Sequence, residues 1–230
     1  MKIVAALSFV SVSVATPVTE WPAFVWLGVL LGALVAMARI PVATVLRRAT
    51  IEVPFVGFAL LMPFLGGGAT VSVGSLVLSR DGLVAAASIM TKGTVGVLVA
   101  IVLSATTPAR ELVRGFERLR VPTVLVQILA FMIRYLNVVN SEVERMRMAR
   151  ASRGFDARGL RAWPVLARAS GALFIRSFER GERVFLAMTS RGYDGTMPPA
   201  EREVVRLGHW ATAMAPATLA LVGALLVRLG

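Results

Sequence analysis

Residues 83–105 read LVAAASIMTKGTVGVLVAIVLSA, with one charge, Lys92, in a run otherwise suited to hydrocarbon. At about 1.5 Å of rise per residue, a helix of this length crosses the ~30 Å apolar core of a bilayer. Lipid offers the backbone no hydrogen bonds, so a spanning segment must be a helix or a strand of a closed barrel. Barrel strands alternate apolar and polar residues, and this run does not. It reads as a transmembrane helix, and it sets the class of the chain.

The flanking sequence repeats the pattern. The 230 residues are 57% hydrophobic, with a mean hydropathy of +0.75. Upstream, apolar segments run from Ile3 to Ala15, from Ala23 to Ala38 and from Val53 toward the glycine triplet at 66–68. The first is short, and Lys2 before an apolar stretch also fits a signal peptide. A membrane helix is the preferred reading, because the next helix starts almost at once after Pro17, Glu20 and Pro22. Pro54 and Pro63 are tolerable where neighbours satisfy the freed carbonyls. The glycine triplet reads as a helix end with a flexible turn, since no Lys-Ser/Thr follows to make a phosphate loop. Lys92 should face another helix or snorkel, and no intramembrane carboxylate is evident as its partner. A last apolar segment covers about Ala211 to Val227. The expectation is an all-α polytopic membrane protein with about five transmembrane helices.

Charge sets the orientation. The net charge is +12, from 25 basic and 13 acidic residues, and every base but Lys2 and Lys92 is Arg. Arg39, Arg47 and Arg48 place the 39–48 loop in the cytoplasm by the positive-inside bias. From Arg110 to Arg120, charges alternate with Leu112, Val113, Phe116 and Leu119 at helical spacing, as in an amphipathic surface helix. Residues 142–206 hold 13 Arg against 8 acids and should be cytoplasmic as well. A single crossing at 122–139 would put them outside. Gln127, Arg134, Asn137 and Ser141 also share a face there, so 122–154 reads as one long helix that starts along the membrane floor and ends in the cytosol. Whether 122–139 lies flat or dips into the bilayer stays open. A second long helix is expected over about 164–192. The resulting organisation is membrane helices over 1–108, a coupling-helix module over 109–207 and a closing span over 208–230.

The composition excludes several chemistries. With no Cys there are no disulfides or thiolate metal sites. The single His, His209, sits beside Trp210 at the entry to the last apolar segment, an interfacial position, and no metal-ligand cluster is present. No nucleic-acid-binding module accompanies the basic excess, so no nucleic acid is expected as a partner. Ser88 and Lys92 are four apart on one helix face, but nothing nearby would stabilise an oxyanion, so an intramembrane enzyme is disfavoured.

One phrase occurs twice, 38 residues apart. Glu144-Arg145-x-x-x-Ala149-x-x-Ser152-Arg153-Gly154-Phe155-Asp156 returns as Glu182-Arg183-x-x-x-Ala187-x-x-Ser190-Arg191-Gly192-Tyr193-Asp194. Glycine is the usual residue where a helix ends in a left-handed turn, so Gly154 and Gly192 should terminate their helices. Arg153 and Arg191 then stand at the last turn, complementing the helix dipole. The small Ala149 and Ala187 allow close approach one turn earlier. The product is a helix tip bearing a guanidinium, suited to a groove of carboxylates or carbonyls. A plain helix cap explains Gly and Arg but not the trailing aromatic and Asp.

These two copies resemble the paired Ala-Arg-Gly signatures of the transmembrane T component of energy-coupling factor (ECF) transporters. The stretch from Leu173 to Gly195, with Phe131-Met-Ile-Arg-Tyr135, is most similar to the cobalt-transport, CbiQ-like branch. The resemblance covers roughly 120–196 and is only compositional over the first 110 residues. Ser152 and Ser190 replace the family's usual Ala. The resemblance implies long cytoplasmic coupling helices whose two Ser-Arg-Gly tips each dock on one of two ABC-type ATPase subunits. It also implies a partner S component, a membrane subunit that binds the substrate. No cofactor is implied in this chain, ATP being held by the partner subunits, and cobalt is the leading substrate, with nickel or a vitamin as alternatives.

Overall fold

The computed structural model describes residues 1–67, 70–73, 76–155, 159, 162–195 and 207–229. Met1–Pro108 together with Glu203–Gly230 forms one compact unit, and Ala109–Arg202 forms a second. The expected helical membrane class is what the chain adopts.

The first unit packs α1 (Lys2–Ala15), α2 (Trp21–Met37), α4 (Val53–Leu65), α5 (Arg80–Thr106) and α9 (Leu207–Leu229), with a short α3 (Val42–Ala49) and a 3-10 turn over Thr50–Glu52. Phe9, Leu27, Leu31, Val95, Val99 and Ala220 bring α1, α2, α5 and α9 onto one core. Large apolar side chains such as Trp21, Phe55, Leu65 and Leu226 stay exposed, which suits helices solvated by lipid. Among the described residues, Val42–Leu65, Arg80–Thr106 and Thr123–Ala151 are long and apolar enough to cross a membrane; Lys2–Ala15, Trp21–Met37 and Ala213–Arg228 are shorter apolar helices.

The chain's two lysines lock α1 to α5 from opposite ends. Lys2 Nζ donates to the Thr106 carbonyl at 2.9 Å, and Lys92 Nζ donates to the Val14 carbonyl at 2.7 Å. Each acceptor lies in the last turn of its helix, where carbonyls lack intrahelical partners. Lys92 therefore faces a neighbouring helix, as its sequence context requires. Its partner is that carbonyl and no carboxylate. Glu52 is buried and accepts a 2.6 Å hydrogen bond from Thr94 Oγ1, two residues along α5 from Lys92. Glu52 lies in the 3-10 turn at the edge of an apolar segment.

Close approach is bought with glycine at two crossings. Trp26 Nε1 donates to the Leu219 carbonyl at 3.1 Å, and a Cβ on Gly223 would stand 2.1 Å from that ring nitrogen. A Cβ on Gly82 would meet the Met62 carbonyl oxygen at 2.3 Å, where α5 passes α4. Ser79 caps α5 by accepting from Gly82 N at 3.1 Å.

Between α4 and α5 the glycine triplet is expected to end the helix in a turn, and its last residue, Gly68, lies outside the described residues. The helix does end at Leu65, and β1 (Thr70–Val73) then pairs antiparallel with β2 (Leu76–Ser79), with Thr70 opposite Ser79 and Val73 opposite Leu76. Val71, Val73 and Val77 flanking Gly74-Ser75 were a readable hairpin signal.

The second unit holds α6 (Ala109–Arg118), α7 (Thr123–Ala151) and α8 (Trp163–Thr189). The backbone of His209 begins α9, while its side chain lies outside the described residues.

Candidate functional site: two arginine-bearing helix tips

Both copies of the repeated phrase end a helix in the same way. Gly154 and Gly192 have φ of +70° and +86°. Gly154 N donates to the Ala151 carbonyl at 3.0 Å and Phe155 N to the Arg150 carbonyl at 3.1 Å. In the second copy, Gly192 N donates to Thr189 and Tyr193 N to Met188, both at 3.0 Å. This crossed pair is the Schellman motif, in which an apolar residue follows the left-handed glycine and packs back on the helix. The repeated aromatic occupies the position after the glycine in both caps. A Cβ at either glycine would meet nothing within 4 Å, so it is the backbone angle alone that favours glycine.

Ser152 Oγ donates to the Ala149 carbonyl at 3.1 Å, and Ser190 Oγ to the Ala187 carbonyl at 3.0 Å. The hydroxyls fold back onto their own helices, so each serine presents little more than an alanine would. Arg153 and Arg191 are exposed beside them and make no ion pair among the described residues. Each tip is therefore a small, smooth helix end with one outward guanidinium.

The flanks are less alike. Arg145 pairs with Glu142 at 2.6 Å, three residues back, and Arg183 with Glu179 at 3.8 Å, four residues back. Glu144 meets Arg147 at 3.5 Å. Glu182 makes no such pair among the described residues. The repeated Glu-Arg neighbours do not pair with each other, since adjacent helical positions point about 100° apart. These exposed pairs contribute little to stability. Asp156 lies outside the described residues, while Asp194 is exposed behind Tyr193.

Two contacts tie α7 to α8. Arg176 bridges to Glu142 Oε1, and Tyr193 Oη donates to Gln127 Oε1 at 3.0 Å. Later positions on α8 meet earlier positions on α7, so the helices run antiparallel. The tips then lie at opposite ends of the pair, on the order of 35 Å apart along the axis at 1.5 Å per residue. Glu142 receives two guanidiniums, Arg145 first and Arg176 second, and they hold its carboxyl below the ordinary glutamate range. Gln127, Glu142 and Arg176 were missed as functional residues in sequence, because each acts across helices and none belongs to the repeat. The polar stripe containing Gln127 was the available hint.

Among the described residues, no group of three or more His, Cys, Asp or Glu could hold a metal. Comparison with known proteins gives the family. The family model CbiQ, cobalt transport protein, matches residues 1–201. A protein of Methanocorpusculum labreanum named as a fused cobalt transport protein CbiMQ is 27% identical over 88% of this chain, which spans 35% of that protein's length. The energy-coupling factor transporter transmembrane protein EcfT of Thermanaerovibrio acidaminovorans is 32% identical over 75% of this chain and 69% of its own. The cobalt transport protein CbiQ of Rhodobacter capsulatus is 28% identical over 52% of this chain and 49% of its own. This chain belongs to the CbiQ family, a family of transporter membrane components.

Proposed function

We propose that this chain is the non-catalytic coupling subunit of an ATP-driven importer of the ECF type, and that cobalt is the substrate. The observation that carries the reading is the Ser-Arg-Gly tip, built twice with the same cap and placed at both ends of an antiparallel helix pair. Two like tips about 35 Å apart suit two like receptors, one on each of two ABC-type ATPase subunits. Each receptor would offer carboxylates or carbonyls to Arg153 or Arg191. Ala149, Ser152 and Gly154, with Ala187, Ser190 and Gly192, let the groove close around the guanidinium. Nucleotide-driven closure of the ATPases would displace the tips, and α7 and α8 would carry that displacement to a substrate-binding membrane S component. Coupling of this kind needs no ligand, ATP or cofactor on this chain.

In this reading residues 1–108 and 208–230 are the membrane part, and 109–207 is the coupling module facing the cytoplasm. The arginine excess over 142–206 supports that side. The family's description favours cobalt. With no Cys and one His, the ligands that select a metal would lie on the S component. A second reading is a T component serving a nickel- or vitamin-binding S component, and the 32% identical EcfT relative, whose name states no substrate, is compatible with either. The S component that co-purifies separates the two.

The test is co-purification from membranes. Arg153→Glu and Arg191→Glu should each lower ATPase recovery by roughly tenfold, and Arg→Ala by less, because the receptor is expected to be acidic. Full recovery with both Glu variants would refute the docking role.

A further inference from the structure

Away from the tips, α6 and α7 enclose a half-open groove of about 650 Å³. Arg110, Arg114 and Glu117 line it from α6, and Val126, Phe131 and Arg134 line it from α7. The short link at 119–122 makes the two helices an antiparallel hairpin. Arg110 and Arg114 therefore lie farther from the link, toward the turn of α7 where Arg134 stands, while Glu117 lies toward the link. Among the described residues none of the three guanidiniums makes an ion pair or hydrogen bond, unlike Arg145 and Arg176, which converge on Glu142. The floor between them is apolar, with Val113 and Val126 buried. The adjoining face of α7 exposes Val124, Leu125, Ile128, Met132 and Leu136, a stripe fit to meet acyl chains.

An unpaired cationic cluster at one end of an apolar trough calls for an amphiphile whose anion and hydrocarbon are joined. We propose that the groove seats one anionic phospholipid, its phosphate among Arg110, Arg114 and Arg134 and an acyl chain along Val126, Ala130 and Phe131. A free phosphate would leave the apolar wall unused, and a zwitterionic lipid would set its own cation against three guanidiniums. Basic pockets beside membrane helices hold anionic head groups by this combination of charge and burial. The groove also shares Gln127 with the hydrogen bond that holds Tyr193, so its occupant sits one residue from the anchor of the second tip.

The full chain, purified from bilayers of mixed phosphatidylglycerol and phosphatidylcholine, tests this by native mass spectrometry of retained lipid. One phosphatidylglycerol should be retained in preference to phosphatidylcholine. The triple variant Arg110→Gln, Arg114→Gln, Arg134→Gln should lose that retention by roughly tenfold. Ala130→Trp, which fills the trough and leaves the charges, should lose it too. Arg147→Gln, outside the groove, should retain it, and added inorganic phosphate should not displace the lipid. Equal retention of the two lipids, or retention that survives both groove variants, overturns the proposal. Displacement by inorganic phosphate would mark a free-anion site and overturn it as well. Groove variants that keep their lipid but lose a partner subunit would make the groove a protein seat, which is equally fatal to the lipid assignment.

Discussion

Tyr193 Oη donates a 3.0 Å hydrogen bond to Oε1 of Gln127, joining the end of α8 to the first turns of α7. Phe155, at the matching place in the first copy, has no hydroxyl with which to make such a bond. Two tips with the same cap are therefore held differently: the second is fastened to a neighbouring helix, and among the described residues the first makes no such bond.

Removing the hydroxyl should loosen only the second tip. Tyr193→Phe is expected to cost about 1 kcal/mol locally, as for a hydrogen bond of this kind. Hydrogen–deuterium exchange should quicken over 188–195 and stay unchanged over 148–155. Equal protection of both segments in the variant would show that the bond does not anchor the tip.

The α2–α9 crossing has no room for a side chain at Gly223, where a Cβ would stand 2.1 Å from Trp26 Nε1. Gly223→Ala should destabilise by about 2 kcal/mol or more through overpacking. Trp26→Ala in the same chain should remove the penalty specific to Gly223→Ala, because it withdraws the ring atoms that clash. Thermal unfolding in detergent reads both, and a Gly223→Ala chain as stable as the parent would contradict the crossing.

Arg39 and Arg120 hold left-handed backbones, with φ of 50° and 59°, at the ends of α2 and α6. Both ends make the same crossed carbonyl bonds as the two tips, with Ile40 and Val121 where the tips carry aromatics. An L side chain in this conformation costs roughly 1 kcal/mol or more. Arg39→Gly and Arg120→Gly should therefore each stabilise their units by a few tenths to about 1 kcal/mol, after the entropy glycine adds to the unfolded chain. Denaturation midpoints that fall would locate a compensating role for the arginine side chains.

The α7–α8 link at Glu142 should weaken in acid. Its carboxyl is held below the ordinary value near 4.5, first by the hydrogen bond from Arg145 and then by that from Arg176. A depressed folded pKa stabilises above the unfolded value, and the contribution fades as pH falls through the folded one. Glu142→Gln should flatten the dependence of α7–α8 protection on pH below about 4.5, while protection at neutral pH falls slightly. A parent and variant with the same acid profile would assign the dependence to other carboxylates.

Much of this protein is legible without coordinates, because lipid and backbone chemistry act locally. A 23-residue apolar run must be a helix, and a glycine after a long helical pattern must turn the chain, whatever surrounds them. The duplicated Ser-Arg-Gly phrase is a property of the string alone, and so is the family likeness. The hairpin at 70–79 was legible too, in its valines and Gly-Ser, but the glycine triplet before it invited a looser reading.

What the string could not tell is which distant groups meet. Lys2 with Thr106, Trp26 with Leu219, Glu52 with Thr94 and Tyr193 with Gln127 are separated by 42 to 193 residues. Such pairs depend on how helices orient and cross, and a helical pattern records only its own face. The difference between the two tips is therefore decided by packing: one hydroxyl distinguishes Tyr193 from Phe155 in sequence, but only the approach of α7 gives that hydroxyl a partner.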